Sequence, residues 1–160
     1  MNLITDRTEQ DVARVLELKN KGWSNMTAEE QAEWTAGMKG AYNATDLNRV
    51  QTATKYVNER LRECGYVAEF VDLPLWVSNG AEYQGVPKLS DLELYLQNIR
   101  EIRNVFVTLE STPAAPTTMT KFDYIKANDI EQILVDIDNL ITKMIASYSF
   151  AGECFGGEIV

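Results

Sequence analysis

The chain reads as a mainly α protein, α-dominant α+β, and three observations carry that expectation. Two long stretches share one apolar spacing, capping signatures precede the helical stretches, and one short β-like run is answered by an aromatic, glycine-punctuated tail. The predicted architecture is an antiparallel helical bundle built on two long helices (about 45–64 and 126–147). A small antiparallel sheet from about 66–72 and the C-terminal tail would lie beside it. With 160 residues, the chain is expected to form a single domain, 1–160.

The spine comes first. Residues 45–61 (TDLNRVQTATKYVNERL) place Leu47, Val50, Val57 and Leu61 at helical spacing. Residues 128–144 (NDIEQILVDIDNLITKM) repeat the plan with Ile130, Ile133, Leu140 and Met144, and Ile137 stands where the first stretch has Thr54. Steps of three and four residues describe the seam of a left-handed helix pair. The second stretch adds Leu134, Ile141 and Ile145 as a further apolar row, so it is expected to be the more buried. Arg49, Glu59 and Arg62 of the first are assigned to solvent.

Before the spine, Thr8 with Asp11 starts an amphipathic helix through Val12, Val15, Leu16 and Leu18, which Gly22 stops. TAEE at Thr27 to Glu30 is a capping box for a short helix carrying Trp34. GMKGAYNAT is a turn, and Thr45 is taken as the cap of the first spine helix. After Gly65, YVAEFVD alternates as a strand does. Residues 73–88 contain two prolines and an Asn79-Gly80 pair and read as a surface loop. SDLE at Ser90 to Glu93 opens a further amphipathic helix through Leu92, Leu96, Ile99, Ile102 and Phe106. STPAAPTTMT is a connector, because residues before proline are pushed out of helical geometry.

Composition excludes more than it identifies. A formal charge of −9 argues against nucleic-acid and anionic-membrane partners, both of which need clustered Lys and Arg. The absence of histidine removes Ser-His-Asp and Cys-His nucleophiles and most zinc and iron sites. No catalytic residue, metal ligand or cofactor site is therefore assigned, and the chain is not expected to be an enzyme. Asp136 and Asp138 fall on different helix faces, and Glu29, Glu30 and Glu33, crowding the start of the short helix, read as a solvated face. GMKGAYN lacks the Lys-Ser/Thr ending of a phosphate loop. The start of the chain has no basic or apolar leader, and no run is long enough to span a bilayer. The expectation is a protein that is cytoplasmic when synthesised. Whether Cys64 and Cys154 pair stays open.

Binding falls to the aromatics Trp76, Tyr83, Trp23, Trp34 and Tyr42, which can anchor a protein interface or stack on sugar rings. Trp76 and Tyr83, in the loop, are the ones expected to be exposed. Trp23 and Trp34 are expected to cap the core.

Five segments also carry a resemblance. ITDRT at Ile4 to Thr8 is followed by the GW, MTAEE and EW segment of Gly22 to Trp34 and by KGAYNATDLNRV at Lys39 to Val50. YIKANDIEQIL at Tyr124 to Leu134 and AGECFGGE at Ala151 to Glu158 complete it. Together they resemble a module of phage and prophage-encoded proteins of Gram-positive gut bacteria. The resemblance implies a tail-associated or other virion structural module, with other phage structural proteins or a second copy as partners. It supplies no catalytic residues. A carbohydrate-binding role for the aromatics is the alternative.

Overall fold

The computed structural model describes residues 1–76 and 88–155, with 149–155 as helix backbone. Among the described residues there are five α-helices: α1 (Glu9–Lys21), α2 (Ala28–Ala36), α3 (Ala44–Glu63), α4 (Leu89–Val105) and α5 (Tyr124–Phe155). A 3-10 turn, Trp23–Asn25, joins α1 to α2.

Capping sets where these helices begin. Thr8 and Asp11 close a capping box on α1, and Thr27 and Glu30 do the same on α2, as expected. The cap of α3 is Asn43 rather than Thr45. Its Oδ1 accepts from the Thr45 and Asp46 amides, and Asp46 Oδ2 accepts from the Asn43 N–H at 3.0 Å. The α4 box is likewise displaced from Ser90 and Glu93: the Asp91 carboxylate accepts from the Lys88 N–H, so the helix starts two residues early. In both cases a competing Asx or acidic residue lies nearer the preceding turn.

Helices α3, α4 and α5 pack on one another and form the core. Leu47, Val50, Val57 and Leu61 meet Leu96, Ile99 and Ile102 of α4 and Ile130, Ile133, Leu134, Ile137 and Ile141 of α5. Each such burial contributes roughly 1.5–3 kcal/mol. Thr54 is also buried, its hydroxyl donating to the Val50 carbonyl at 2.7 Å. Leu140 and Met144 are half-buried while Ile141 is sealed, because a straight helix of 3.6 residues per turn drifts off a strict 3.5 repeat. Ile145, placed in the second buried row from the sequence, is 43% exposed.

The spine helices run parallel, which corrects the antiparallel expectation. Arg49 pairs with Glu131 near their starts, Arg60 with Asp138 and Thr142 farther on, and Cys64 shares a cavity wall with Met144. Helix α4 runs the same way, from the Tyr42–Tyr95 hydroxyl contact to the Tyr66–Phe106 ring contact at the other end. Parallel neighbours need connections that travel back the length of a helix. α3 has 20 residues, about 30 Å, which some nine or ten extended residues can retrace. Residues 66–76 do so beside α3: Lys55 pairs with Asp72, the Gln51 side-chain amide donates to the Leu73 carbonyl, and Asn48 accepts from the Trp76 N–H. Residues 106–123 return beside α4, where Arg103 holds the Pro113 carbonyl and Arg100 the Pro116 carbonyl.

The expected sheet is absent among the described residues. Residues 66–72 do alternate, with Tyr66, Ala68 and Phe70 turned to the core and Val67 and Val71 exposed. They have no strand to pair with, because the tail assigned to that role continues as α5 to Phe155. Asn98 supplies the pairing instead: its Oδ1 accepts from the Val71 N–H at 2.9 Å and its Nδ2 donates to the Val71 carbonyl at 2.7 Å.

The α1–α2 hairpin is peripheral and buries little beyond Leu18 and Met26. It joins the core through Gly40, where a Cβ would lie 2.2 Å from the Asp11 carbonyl carbon, and through the residues that precede α1. Among the described residues no helix is long and apolar enough to cross a membrane.

Candidate functional site

Ahead of α1, residues 1–8 form a non-helical strap across the starts of α3 and α5. Arg7 anchors it and is only 3% exposed. Its guanidinium donates to Glu131 Oε1 at 2.7 Å, Asp46 Oδ1 at 3.0 Å, and the carbonyls of Ile4 and Lys39. Arg49 completes the cluster, reaching Asp46 Oδ1 at 2.6 Å and Glu131 Oε1 at 2.8 Å. The Ile4 N–H donates to Glu131 Oε2 at 2.6 Å, and Asn128 exchanges two hydrogen bonds with the Arg7 main chain.

Two guanidinium and two carboxylate charges cancel here, and every carboxylate oxygen accepts at least one hydrogen bond. A buried ion cluster persists only when satisfied in this way. Burial pulls the Arg49 guanidinium down, but the Glu131 and Asp46 carboxylates more than offset that, so it stays charged. Tyr42 stacks under Arg7, with the guanidinium 5.5 Å from its ring centroid, and packs on Phe122. Its hydroxyl meets that of Tyr95 at 2.6 Å, and burial pushes both phenols up, so the pair remains protonated. The cluster joins the strap to the starts of α3 and α5.

Beside the joint lies an open, largely apolar groove of about 640 Å³ between Met1–Leu3 of the strap and the outer face of α3. Ala53 is its floor, Thr45, Asn48, Arg49 and Thr52 give polar edges, and Tyr56 stands at one end, 43% exposed. The Arg60 guanidinium sits 5.8 Å from the Tyr56 ring centroid and steadies it. A smaller, more polar cavity of about 370 Å³ opens on the other side of Arg49, lined by Ile4, Trp34, Lys39, Asn43 and Asp46.

The sequence-predicted aromatics are not brought together. Trp76 is buried, 6% exposed, against the core, and its indole N–H finds no acceptor among the described residues. Tyr83 and the Asn79-Gly80 turn lie outside the described residues. Tyr42 is half-buried in the joint. Trp23 and Trp34, expected as core caps, are the exposed pair, at 53% and 37%. A short hairpin has too little facing surface to cover an indole.

Arg7, Asp46 and Glu131 have no role in the sequence reading, and Arg49, assigned there to solvent, is instead paired with Asp46 and Glu131. Their signal was present as charges set inside apolar stripes, Asp46 before Leu47 and Glu131 between Ile130 and Ile133. The ITDRT, KGAYNATDLNRV and YIKANDIEQIL segments supply Arg7, Tyr42, Asp46, Arg49, Asn128 and Glu131, so three of the five resembling segments converge on the joint.

Asp136 and Asp138 part as expected, Asp136 to Thr112 and Gln132, Asp138 to Arg60. Glu30 and Glu33 pair with Lys21 and Arg14. Cys64 is a free, half-buried thiol, and the side chain of Cys154 is outside those described. Among the described residues no three His, Cys, Asp or Glu side chains gather where they could hold a metal ion. No protein-family model, curated protein or solved structure matches the chain.

Proposed function

We propose that this chain is a non-catalytic structural or assembly module of phage or prophage origin, tail-associated in its setting, that works through protein–protein contacts. Its partners are other phage structural proteins, with self-association as a further mode, and it joins the virion after synthesis in the cytoplasm. One observation carries the reading: an apolar groove ends at an exposed, arginine-steadied tyrosine and rests on a fully paired joint. Interfaces are centred on such aromatic and arginine anchors. The resemblance of ITDRT, KGAYNATDLNRV and YIKANDIEQIL to phage modules supports the setting.

The test is light scattering on size-exclusion fractions of the chain mixed with each product of its flanking genes. Co-elution with at least one product, or a concentration-dependent dimer, is the expected result. A monomer that binds none of them overturns the proposal.

A carbohydrate-binding role is the second reading, now resting on Trp34. It is exposed beside a cavity edged by Lys39, Asn43 and Asp46, and an indole face next to hydroxyl-seeking polar groups suits a sugar. Cell-wall retention that Trp34→Ala abolishes would favour it; retention unchanged by that substitution removes it.

A further inference from the structure

Helix α5 outruns the bundle. Facing residues of α3 and α5 are 82 positions apart, so Glu63, the last residue of α3, comes level with Ile145. From there α5 continues to Phe155, a further 15 Å or about three turns. Among the described residues, Cys64 and Tyr66 reach it only at its base, where they share a cavity of about 300 Å³ with Met144, Ile145 and Tyr148. Ile145 is 43% exposed and Tyr148 is 73% exposed. The sequence of this stretch is not that of a surface. Residues 144–155 (MIASYSFAGECF) hold eight apolar residues and one charge, Glu153. The buried row Ile130, Leu134, Ile137 and Ile141, stepping by four and three, continues in step at Met144, Tyr148, Ala151 and Phe155. An apolar row of that kind is made to pack against another element.

We propose that this stretch of α5 is a dimerisation surface, on which a second copy of the chain lays the same stretch antiparallel, about a two-fold axis midway between Ser149 and Phe150. The inference rests on the assembly reading above and gives its self-association mode a surface, away from the groove. Self-complementarity selects a second copy as the occupant. The axis brings position 144 of one copy level with 155 of the other, and 148 level with 151, so the row is matched along its whole length. It also sets a large residue against a small one at the centre, tyrosine against alanine, as close packing requires. A parallel pair would set tyrosine on tyrosine and alanine on alanine. Charge points the same way: two chains of net charge −9 repel, and they approach at least cost where each carries one charge in twelve residues. The area is adequate as well. An aromatic side chain buries roughly 150–250 Å², so the four at positions 148 and 155 of two copies approach the roughly 1,000 Å² of a specific interface. The cavity beside Cys64 and Tyr66 lies where the end of the second copy's helix arrives.

The experiment is analytical ultracentrifugation of the full chain from about 1 μM to about 1 mM, which should show a reversible monomer–dimer equilibrium. Tyr148→Lys, at an exposed position, should weaken the dimer at least tenfold with the thermal melt unchanged. Tyr56→Lys, in the groove, should leave it as it was. Adding Ala151→Glu to Tyr148→Lys should recover affinity, because antiparallel copies set the new lysine level with the new glutamate. A double variant that dimerises more weakly than Tyr148→Lys overturns the antiparallel arrangement. A dimer that Tyr148→Lys does not weaken, or that Tyr56→Lys weakens as much, overturns this surface and leaves self-association standing. A monomer at every concentration overturns the second copy as occupant, and leaves the assembly reading to the flanking gene products.

Discussion

Glu131 is the residue on which the joint turns, because it accepts from Arg7, Arg49 and the Ile4 amide while fully buried. Removing one member of a buried, hydrogen-bonded ion cluster strands the others in a medium that solvates them poorly. Glu131→Leu should therefore lower stability by roughly 3–5 kcal/mol in urea unfolding. Asp138→Ala, which breaks the partly exposed pair with Arg60, should cost about 1 kcal/mol or less. Equal costs would mean that the joint is no more than a surface pair. Gly40 is the second decisive position, where any side chain meets the α1 backbone of Asp11 and Val12. Gly40→Ala should displace the hairpin and expose Val12 and Tyr42 while the α3–α5 core stays folded. Unchanged proteolysis of the hairpin would contradict that close approach. Arg49 shows why such residues are hard to read from sequence. Helical spacing put it on the solvent side of the seam, and only the arrival of Arg7, Asp46 and Glu131 makes that side an interior.

At the scale of elements, each of the five helices among the described residues was legible, because the caps and the 3-4 apolar spacing are local signals. The sheet was misread for an instructive reason. Residues 66–72 carry a true period of two, but periodicity reports which side chains face inward and not what the backbone pairs with; here Asn98 takes the strand's place. The tail's glycines suggested breaks, yet α5 passes through Gly152. The α1–α2 hairpin depends on charge more than the core does. Asp11 is held below its ordinary range by hydrogen bonds from Thr8, Glu30 by Lys21 and the Thr27 amide, and Glu33 by Arg14. A carboxyl whose pKa is depressed on folding contributes stability that is full above its unfolded value, and that stability is lost as the pH falls through the folded one. The hairpin should accordingly loosen as the pH drops below the ordinary glutamate value of 4.5. In a Trp76→Phe chain, the fluorescence of Trp23 and Trp34 should change between roughly pH 5 and pH 3, while most helical signal persists. A hairpin that tightens in acid would reverse the sign.

At the scale of the molecule, three parallel helices are returned to a common end by two long connectors, and this was the least legible feature. The two spine stretches do share one spacing, from Thr45 and from Asn128, and facing residues such as Arg49 and Glu131, or Arg60 and Thr142, keep a constant separation of 82 positions. Equal patterns do not state direction; the length of the connectors does, because only parallel neighbours need a path as long as the helix between them. Spin labels at Glu63 and Lys143 should lie within about 20 Å, and labels at Glu63 and Ile125 about 30 Å apart, the length of α3. The reverse order would restore the antiparallel pair. The parallel arrangement is also what gathers the strap, the joint and the groove at one end of α3. The measurement that tests the central claim most directly is a calorimetric titration of the flanking gene product that co-elutes with the chain, against wild type and Thr52→Trp. The groove account predicts at least a tenfold loss of affinity in the variant, about 1.4 kcal/mol, with its melting temperature unchanged. Equal affinity for both would place the binding surface elsewhere and contradict the account.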